Sequence, residues 1–398
     1  MKILWVAPTF LHPTTRGGQI RTLGMLRCLH RRHEVHFVGL ERENSREGPD
    51  RASEYSTRAY SVPHRLPAKG TLRSHLQAAA TLVSGLPVTI ARFRSPEAGR
   101  LIGRLLAEER FDRAVCDFLF AAAYYPDLSR CVLFQHNVET MIWRRYAATA
   151  RDPLRRFLYT AEAARLERFE RRACQAAGHV AAVSEEDARI MREQFGARRV
   201  SAVSTGVDLE YFTRPPAPAA VADIVFVGSM DWEPNRDGVR WFLSTVWPLI
   251  RARRPGTRVT IVGRMPPPDL RSGDGVEVTG TVPDVRPYLW GSSLSIVPLR
   301  IGGGTRLKIY ESIAARTPVV STTIGAEGLP LEDGRSIRLA DTPEAFAQAC
   351  LELLAGGGQR EALCEEGYRL VTERFSWDQV AKEFERILEA APPAAANP

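Results

Sequence analysis

The chain has 398 residues, 44% hydrophobic and 25% charged, an ordinary globular composition with room for two domains of ~150–200 residues. Its six cysteines, Cys28, Cys116, Cys131, Cys174, Cys350 and Cys364, form no C-x-x-C pair, so neither a zinc knuckle nor a disulfide scaffold is suggested and a reducing cytoplasm is expected. A formal charge of +8 with a pI near 9.4 favours anionic partners without choosing among nucleotides, phospholipids and nucleic acid.

At the N-terminus Lys2 is followed only by the apolar run Ile3 to Ala7 before Pro8, short of the ~7–15 apolar residues of a signal-peptide core. No later window approaches the ~20 apolar residues of a membrane span. Apolar runs follow at Val35 to Leu40, Ala114 to Asp117, Val132 to Gln135 and Val180 to Ser184, alternating with amphipathic segments. Such alternation predicts a parallel sheet with helices on both faces. Gly17-Gly18 either turn the chain into a helix from Gln19 or, behind a helix N-terminus, receive a phosphate of donor or acceptor. His136 ends a strand and Glu139 opens a helix, where it either orients an acceptor or caps that helix.

Arg144 to Arg172 carries nine arginines interleaved with Trp143, Phe157, Leu158, Leu166 and Phe169. It reads as one basic amphipathic helix suited to peripheral contact with an anionic membrane, or as a solvated face diluted by Glu162, Glu167 and Glu170. The basic residues form no nucleic-acid module, so nucleic acid is not an expected partner.

The pattern stops at Tyr211, and Thr213-Arg-Pro-Pro-Ala-Pro-Ala-Ala-Val-Ala reads as an interdomain linker because prolines interrupt both helix and sheet. A second alternating series predicts strands at Ile224 to Val227, Val259 to Val262, Val276 to Thr279, Leu294 to Pro298 and Val319 to Ser321, with helices at Arg236 to Arg251, Leu307 to Ala315 and Pro343 to Leu354. A last helix, Trp377 to Leu388, is predicted behind Ser376 as N-cap.

The segment with the sharpest chemistry is Ile301-Gly-Gly-Gly-Thr-Arg-Leu-Lys-Ile-Tyr-Glu311, between a strand and a helix. Gly302, Gly303 and Gly304, with Thr305, let backbone N–H groups crowd an anion at a helix N-terminus. Arg306 and Lys308 stand in the first helical turn, where the dipole disfavours cations unless an anion is bound. Glu311 is placed to accept two ribose hydroxyl hydrogen bonds. The alternative is a tight turn with a solvated charged face.

Glu311-Ser-Ile-Ala-Ala-Arg-Thr-Pro-Val-Val-Ser resembles the EAxAxGxPVV signature of retaining glycosyltransferases of family 4. Gly17-Gly18, Val183-Ser184 and Ser204-Thr-Gly-Val-Asp208 with Phe212 resemble further elements of that family, as do Phe226-Val-Gly-Ser, Ile261-Val-Gly and Val278-Thr-Gly-Thr-Val282. Phe134-Gln-His-Asn-Val-Glu139 and Gly228-Ser-Met-Asp-Trp-Glu-Pro-Asn235 resemble the sugar transferases of bacterial exopolysaccharide systems.

The resemblance implies an α/β GT-B fold of two doubly wound, Rossmann-like parallel-sheet domains facing a cleft. The expected divisions are 1–205 on the acceptor side, 206–222 as hinge and linker, 223–375 for the donor, 376–391 as a helix crossing back, and 392–398 as a disordered tail. It implies retaining transfer from a nucleotide diphosphate sugar, UDP or GDP, to a glycan or lipid-linked acceptor, by a cytoplasmic enzyme placed peripherally on the inner face of the plasma membrane, with no cofactor and no metal. His136, Arg306 and Lys308 are the expected catalytic residues. Gly228, Ser229, Gly263, Arg264, Val282, Gly302, Gly303, Gly304, Thr305 and Glu311 are expected at the donor, and Gly17, Gly18 and Glu139 at the acceptor or a phosphate.

Two departures stand out. The first carboxylate of the family's Glu-x7-Glu pair falls on Gly303, and the Arg and Lys that follow its VG strand are replaced by Ser229 and Asn235 at or near those positions. Arg306 and Lys308 are expected to take over the phosphate charge. A nucleotide-sugar epimerase on the same fold, or a catalytically silent donor-binding subunit, are the alternatives.

Overall fold

The computed structural model describes residues 1–14, 17–42, 46–64, 81, 85–150, 152–301 and 307–394. The chain divides into two compact units, Met1–Ser204 with Val380–Pro398, and Thr205–Gln379.

Among the described residues the first unit carries a seven-stranded parallel sheet: β1 (Lys2–Ala7), β2 (Glu34–Arg42), β3 (Arg58–His64), β4 (Arg113–Asp117), β5 (Val132–Phe134), β6 (His179–Ala182) and β7 (Val200–Ala202), in the order β3-β2-β1-β4-β5-β6-β7. The central strands are buried on both faces, which is why they read as continuous apolar runs. Helices α1 (Gly17–His30), α2 (Pro96–Glu108), α3 (Glu139–Thr149), α4 (Pro153–Ala176) and α5 (Glu185–Glu193) accompany the strands. Ser95, Asp152 and Ser184 cap α2, α4 and α5 through their side-chain oxygens.

The second unit repeats the plan with β8 (Ala222–Val227), β9 (Val259–Val262), β10 (Val276–Gly280), β11 (Ser292–Val297), β12 (Val319–Ser321) and β13 (Arg338–Leu339), in the order β10-β9-β8-β11-β12-β13. Its helices include α6 (Glu233–Trp241), α7 (Trp247–Arg253), α8 (Leu307–Ala314), α9 (Pro343–Ala355) and α10 (Gly358–Arg374). In both sheets the strand order reverses beside the first strand of the unit. That switch opens a crevice at the carboxyl ends of the strands, where ligands of such sheets bind.

The linker region is partly built into the second unit. Val207 donates its N–H to Phe375 O at 2.8 Å, and Val207 and Phe212 are buried. The last helix, α11 (Trp377–Ala390), starts in the second unit, and from Val380 its residues belong to the first. Phe384 packs there with ring centroids 5.5 Å from Trp5 and 5.0 Å from Phe134. Beyond it Pro392 packs at Gly178, and Ala394 is buried with its N–H on Asp112 O.

Two predicted elements are corrected. The basic run is two helices, because Pro153 lacks an N–H and starts α4 behind the Asp152 cap. The helix expected over 236–251 runs from Glu233 to Arg253 through a π-helical turn at Phe242–Val246, immediately ahead of Pro248. A proline has no N–H for the regular ladder, and the wider turn accommodates the lost bond.

Candidate active site

In the second unit Gly228 follows β8 and Gly263 follows β9, and each glycine marks a close approach. A Cβ on Gly263 would stand 1.9 Å from Gly228 O. A Cβ on Gly228 would stand 2.6 Å from Lys308 Nζ and 2.8 Å from Asn235 Nδ2. The bare backbone therefore lets Lys308, from the first turn of α8, lie at the end of β8.

A polar network fixes this corner. Asn235 donates from Nδ2 to Ser229 O at 2.7 Å and accepts from Lys308 Nζ at 2.8 Å. The ammonium also sits 4.4 Å from the Phe226 ring centroid. Arg264 donates from Nε to Ser229 Oγ at 2.7 Å and pairs with Asp231 Oδ2 at 2.7 Å, while Ser229 Oγ donates to Asp231 Oδ1 at 2.6 Å. At or near the positions where the resembled family carries its own Arg and Lys, this chain thus brings Arg264 onto Ser229 and Lys308 onto Asn235. Arg264 is the cation that the phosphate argument from sequence overlooked, although it immediately follows the glycine of the Ile261-Val-Gly element.

Glu311 lies about one turn along α8 from Lys308, half-buried. Burial raises its carboxyl to about 7, against the opposing pull of the Lys308 charge. Tyr211, 44% exposed, carries the Arg286 guanidinium 3.9 Å above its ring, and its hydroxyl is raised by burial first and by charges including those of Asp284 and Glu311. Tyr211, with the Arg286 guanidinium on its ring, is an exposed aromatic that no sequence motif reported. Val282 instead packs on the apolar core with Val285 and Leu289. Gly302, Gly303, Gly304, Thr305 and Arg306 lie outside the described residues.

In the first unit His136 is 5% exposed, and its Nε2 is 2.6 Å from Asp117 Oδ1. Asp117 Oδ2 accepts from Trp5 Nε1 at 3.1 Å and from Thr22 Oγ1 at 2.8 Å. A carboxylate that accepts on both oxygens assigns the imidazole proton to Nε2. Nδ1 is then a bare acceptor, buried and without a partner. Burial lowers the His136 pKa while Asp117 opposes the shift, so the ring is neutral at pH 7.

Phe118 stacks on His136 with centroids 3.8 Å apart and planes 9° from parallel. Its backbone is left-handed, φ 66°, a strained conformation for a bulky residue. A Cβ on Gly18 would stand 2.3 Å from Phe118 Cζ. Gly17 and Gly18 begin α1, and Gly18 makes room for that ring, a packing role.

Glu139 does not cap α3. Its Oε1 accepts from Asn137 Nδ2 at 3.2 Å, and burial raises it to about 7. The cap comes from α4: Glu170 accepts from Glu139 N and Thr140 N, both at 3.0 Å, and from Thr140 Oγ1 at 2.6 Å. The structure thus gathers Gly228, Ser229, Gly263, Arg264 and Lys308 at one strand-end corner of the second unit, with Glu311 beside it. It joins His136 to Asp117 and Phe118 in the first.

Two α/β domains of matching strand order, with a cation pair at the carboxyl end of the first strand of the second, define the two-domain GT-B class of sugar-transferring folds. Residues 15–211 match the family described as Glycosyltransferase Family 4, and residues 222–356 that described as Glycosyl transferases group 1. Each half of the chain thus carries a glycosyltransferase family domain on the GT-B fold, and these matches do not favour the epimerase alternative.

Over 83 residues the chain is 35% identical to a probable sucrose-phosphate synthase of Thermosipho melanesiensis, spanning 21% of this chain and 19% of that one. Over 169 residues it is 21% identical to an uncharacterized 44.6 kDa protein in the cps region of Klebsiella pneumoniae, spanning 40% and 44%. The chain therefore spans less than half the length of either curated relative. The crystal structure of Anabaena HepE in complex with UDP-glucose superposes with a TM-score of 0.66 at 12% identity, over 98% of this chain and 100% of that one, a likeness of fold. Among the described residues no helix is long and apolar enough to cross a membrane.

Proposed function

We propose that this glycosyltransferase moves a sugar from a UDP- or GDP-sugar to a hydroxyl of a glycan or lipid-linked acceptor, with retention of configuration. The observation that carries the reading is the corner at β8, where Arg264 rests on Ser229 and Lys308 on Asn235. When the sugar departs, negative charge develops on the β-phosphate, and two cations already held by hydrogen bonds stabilise it, Lys308 on Asn235 and Arg264 while sharing its charge with Asp231. Glu311, a turn away, receives the ribose hydroxyls. The UDP-glucose held by the structurally similar HepE supports a nucleotide-sugar donor.

The electrostatic work falls to these cations, and the transfer uses no cofactor and no metal. His136, the catalytic residue that the resemblance implies in the first unit, keeps an unpartnered lone pair at Nδ1. The lipid-linked acceptor reading rests on the opening turns of α4, where Leu154, Phe157 and Leu158 are exposed beside Arg155 and Arg156. That pattern suits an anionic leaflet.

A thermal-shift panel of UDP-, GDP- and ADP-sugars tests the donor assignment, since binding stabilises in proportion to ln(1 + [L]/Kd). A UDP- or GDP-sugar is expected to raise the melting temperature of the wild type more than that of Lys308→Ala. An equal response of both proteins, or none to any donor, defeats the reading.

A further inference from the structure

In the signature of the second unit, the glycine position after α8 is Arg316. Its φ of 56° is left-handed, the conformation glycine adopts freely and arginine does not. It closes the helix, with Arg316 N on Ile313 O and Thr317 N on Ser312 O, both at 2.9 Å. An arginine in a glycine's place needs another reason, and its side chain supplies one. The guanidinium lies 3.9 Å from the Tyr368 ring centroid, pairs with Glu365 at 2.6 Å, and lines a cavity of about 420 Å³.

A second arginine lines the cavity and a third lies beside Arg316. Arg360 lines the same cavity. Arg214 donates from Nη1 to Arg316 O at 3.3 Å. Among the described residues neither Arg214 nor Arg360 has an ion-pair partner, so only Arg316, bonded to Glu365, is neutralised. Arg214 is depressed by burial first and by the Arg360 charge next. The Cys364 thiol, on the cavity wall, is raised by burial while all three guanidiniums pull it down. Like charges crowded into a half-buried space repel unless an anion enters.

We propose that this cavity is a second ligand site, binding a small phosphate monoester between Arg214, Arg316 and Arg360. A monoester carries roughly −1.5 to −2 at pH 7 with three acceptor oxygens, a match for guanidinium forks. The volume falls within the ~300–1,000 Å³ of small-molecule pockets. Glu361 on the lining and Glu365 restrict the ligand to a compact dianion and exclude an extended polyanion. The site is separate from the donor corner: Lys308 stands in the first turn of α8 and Arg316 beyond its last, about 12 Å apart along the helix.

Cys364 reports on occupancy because it is half-buried while the other five cysteines are buried. Its alkylation by iodoacetamide, followed by peptide mass spectrometry, is measured in glycerol 3-phosphate, in inorganic phosphate, in chloride at equal ionic strength, and with phosphatidic acid vesicles. Glycerol 3-phosphate and inorganic phosphate at ten times Kd are expected to slow labelling about tenfold in the wild type and equally in Lys308→Ala. Arg214→Gln with Arg360→Gln removes the protection, and Glu361→Gln strengthens it. Equal protection by chloride, protection retained in the double variant, or protection by vesicles alone overturns the assignment of a free phosphate ester.

Discussion

His136 and Asp117 stand at the ends of neighbouring strands with Nε2 and Oδ1 2.6 Å apart, and the same carboxylate is bound from its other oxygen by Trp5 and Thr22. Asp117 is thereby a positioning residue: it sets the tautomer that leaves His136 Nδ1 as an acceptor. In Asp117→Asn the amide can present N–H to Nε2, moving the ring proton to Nδ1 and removing the acceptor. Loss of one neutral hydrogen bond, roughly 0.5–1.5 kcal/mol, predicts a fall in kcat of about 2- to 10-fold with a smaller change in donor KM. Nitrogen NMR of the His136 ring reads the tautomer directly. An unchanged tautomer in the variant would falsify the positioning role.

Gly228 is predicted to matter through Lys308. In Gly228→Ala the new methyl would stand 2.6 Å from Nζ and 2.8 Å from Asn235 Nδ2, so both side-chain ends must withdraw. Affinity for a nucleoside diphosphate, measured by calorimetry, should drop about tenfold, as should that of Lys308→Ala and of Arg264→Ala, each losing a charge-assisted contact. Combining Gly228→Ala with Lys308→Ala should add little, because both act on one interaction. Full additivity would show that the glycine serves something else.

Glu311 makes donor binding pH-dependent. Burial raises its carboxyl to about 7, so the proton is held in the folded protein over a range where the unfolded chain has released it. The resulting stability is complete below the ordinary carboxylate value and is lost as pH rises through 7. Binding runs the other way, since ribose hydroxyls donate to the ionised form. Affinity for a nucleotide diphosphate sugar, whose phosphates do not titrate near neutrality, should rise between pH 6 and 8 (~one unit either side of the group's midpoint). Glu311→Gln should bind more weakly at the upper end and show a flat profile. A wild-type profile as flat as the variant's would remove the carboxylate from the ribose.

What was legible in the sequence follows burial. Val259–Val262 and Val319–Ser321 are strands with every residue buried, and their apolar runs marked them to the residue. The strands that escaped, Arg58–His64, Val200–Ala202 and Arg338–Leu339, all lie at sheet edges, and each is short or polar. An edge strand needs only one neighbour and little apolar surface, so periodicity has nothing to report. The site divides in the same way. Gly228, Ser229 and Lys308 lie in or near local motifs, whereas Asp117 and His136 are 19 residues apart and meet only because Asp117 registers against Phe134. Glu170 reaches the start of α3 from a separate helix, so a local reading could place the cap only on Glu139.

That cap carries a stability prediction. Three bonds from Glu139 N, Thr140 N and Thr140 Oγ1 converge on Glu170, and Glu170→Ala leaves the donors buried without an acceptor, at about 1–3 kcal/mol. Hydrogen exchange should accelerate over 139–149 well before the second unit is affected. Exchange that rises evenly along the chain would point to global destabilisation instead of a lost cap.

The opening turns of α4 test the membrane reading. Leu154, Phe157 and Leu158 are 67%, 69% and 52% exposed, apolar surface that water penalises and a lipid interface accepts, each side chain contributing up to ~1.5–3 kcal/mol when fully buried. Arg155 and Arg156 lie among them and add roughly 1 kcal/mol each at an anionic surface. The triple change to serine should reduce binding to phosphatidylglycerol vesicles by well over about tenfold, given even partial insertion. Arg155→Gln with Arg156→Gln should weaken binding less and flatten its salt dependence. Wild-type protein should bind neutral phosphatidylcholine vesicles weakly, since the apolar contact alone remains. Equal flotation of the wild type and the serine variant with anionic vesicles would mean that these side chains do not meet the lipid.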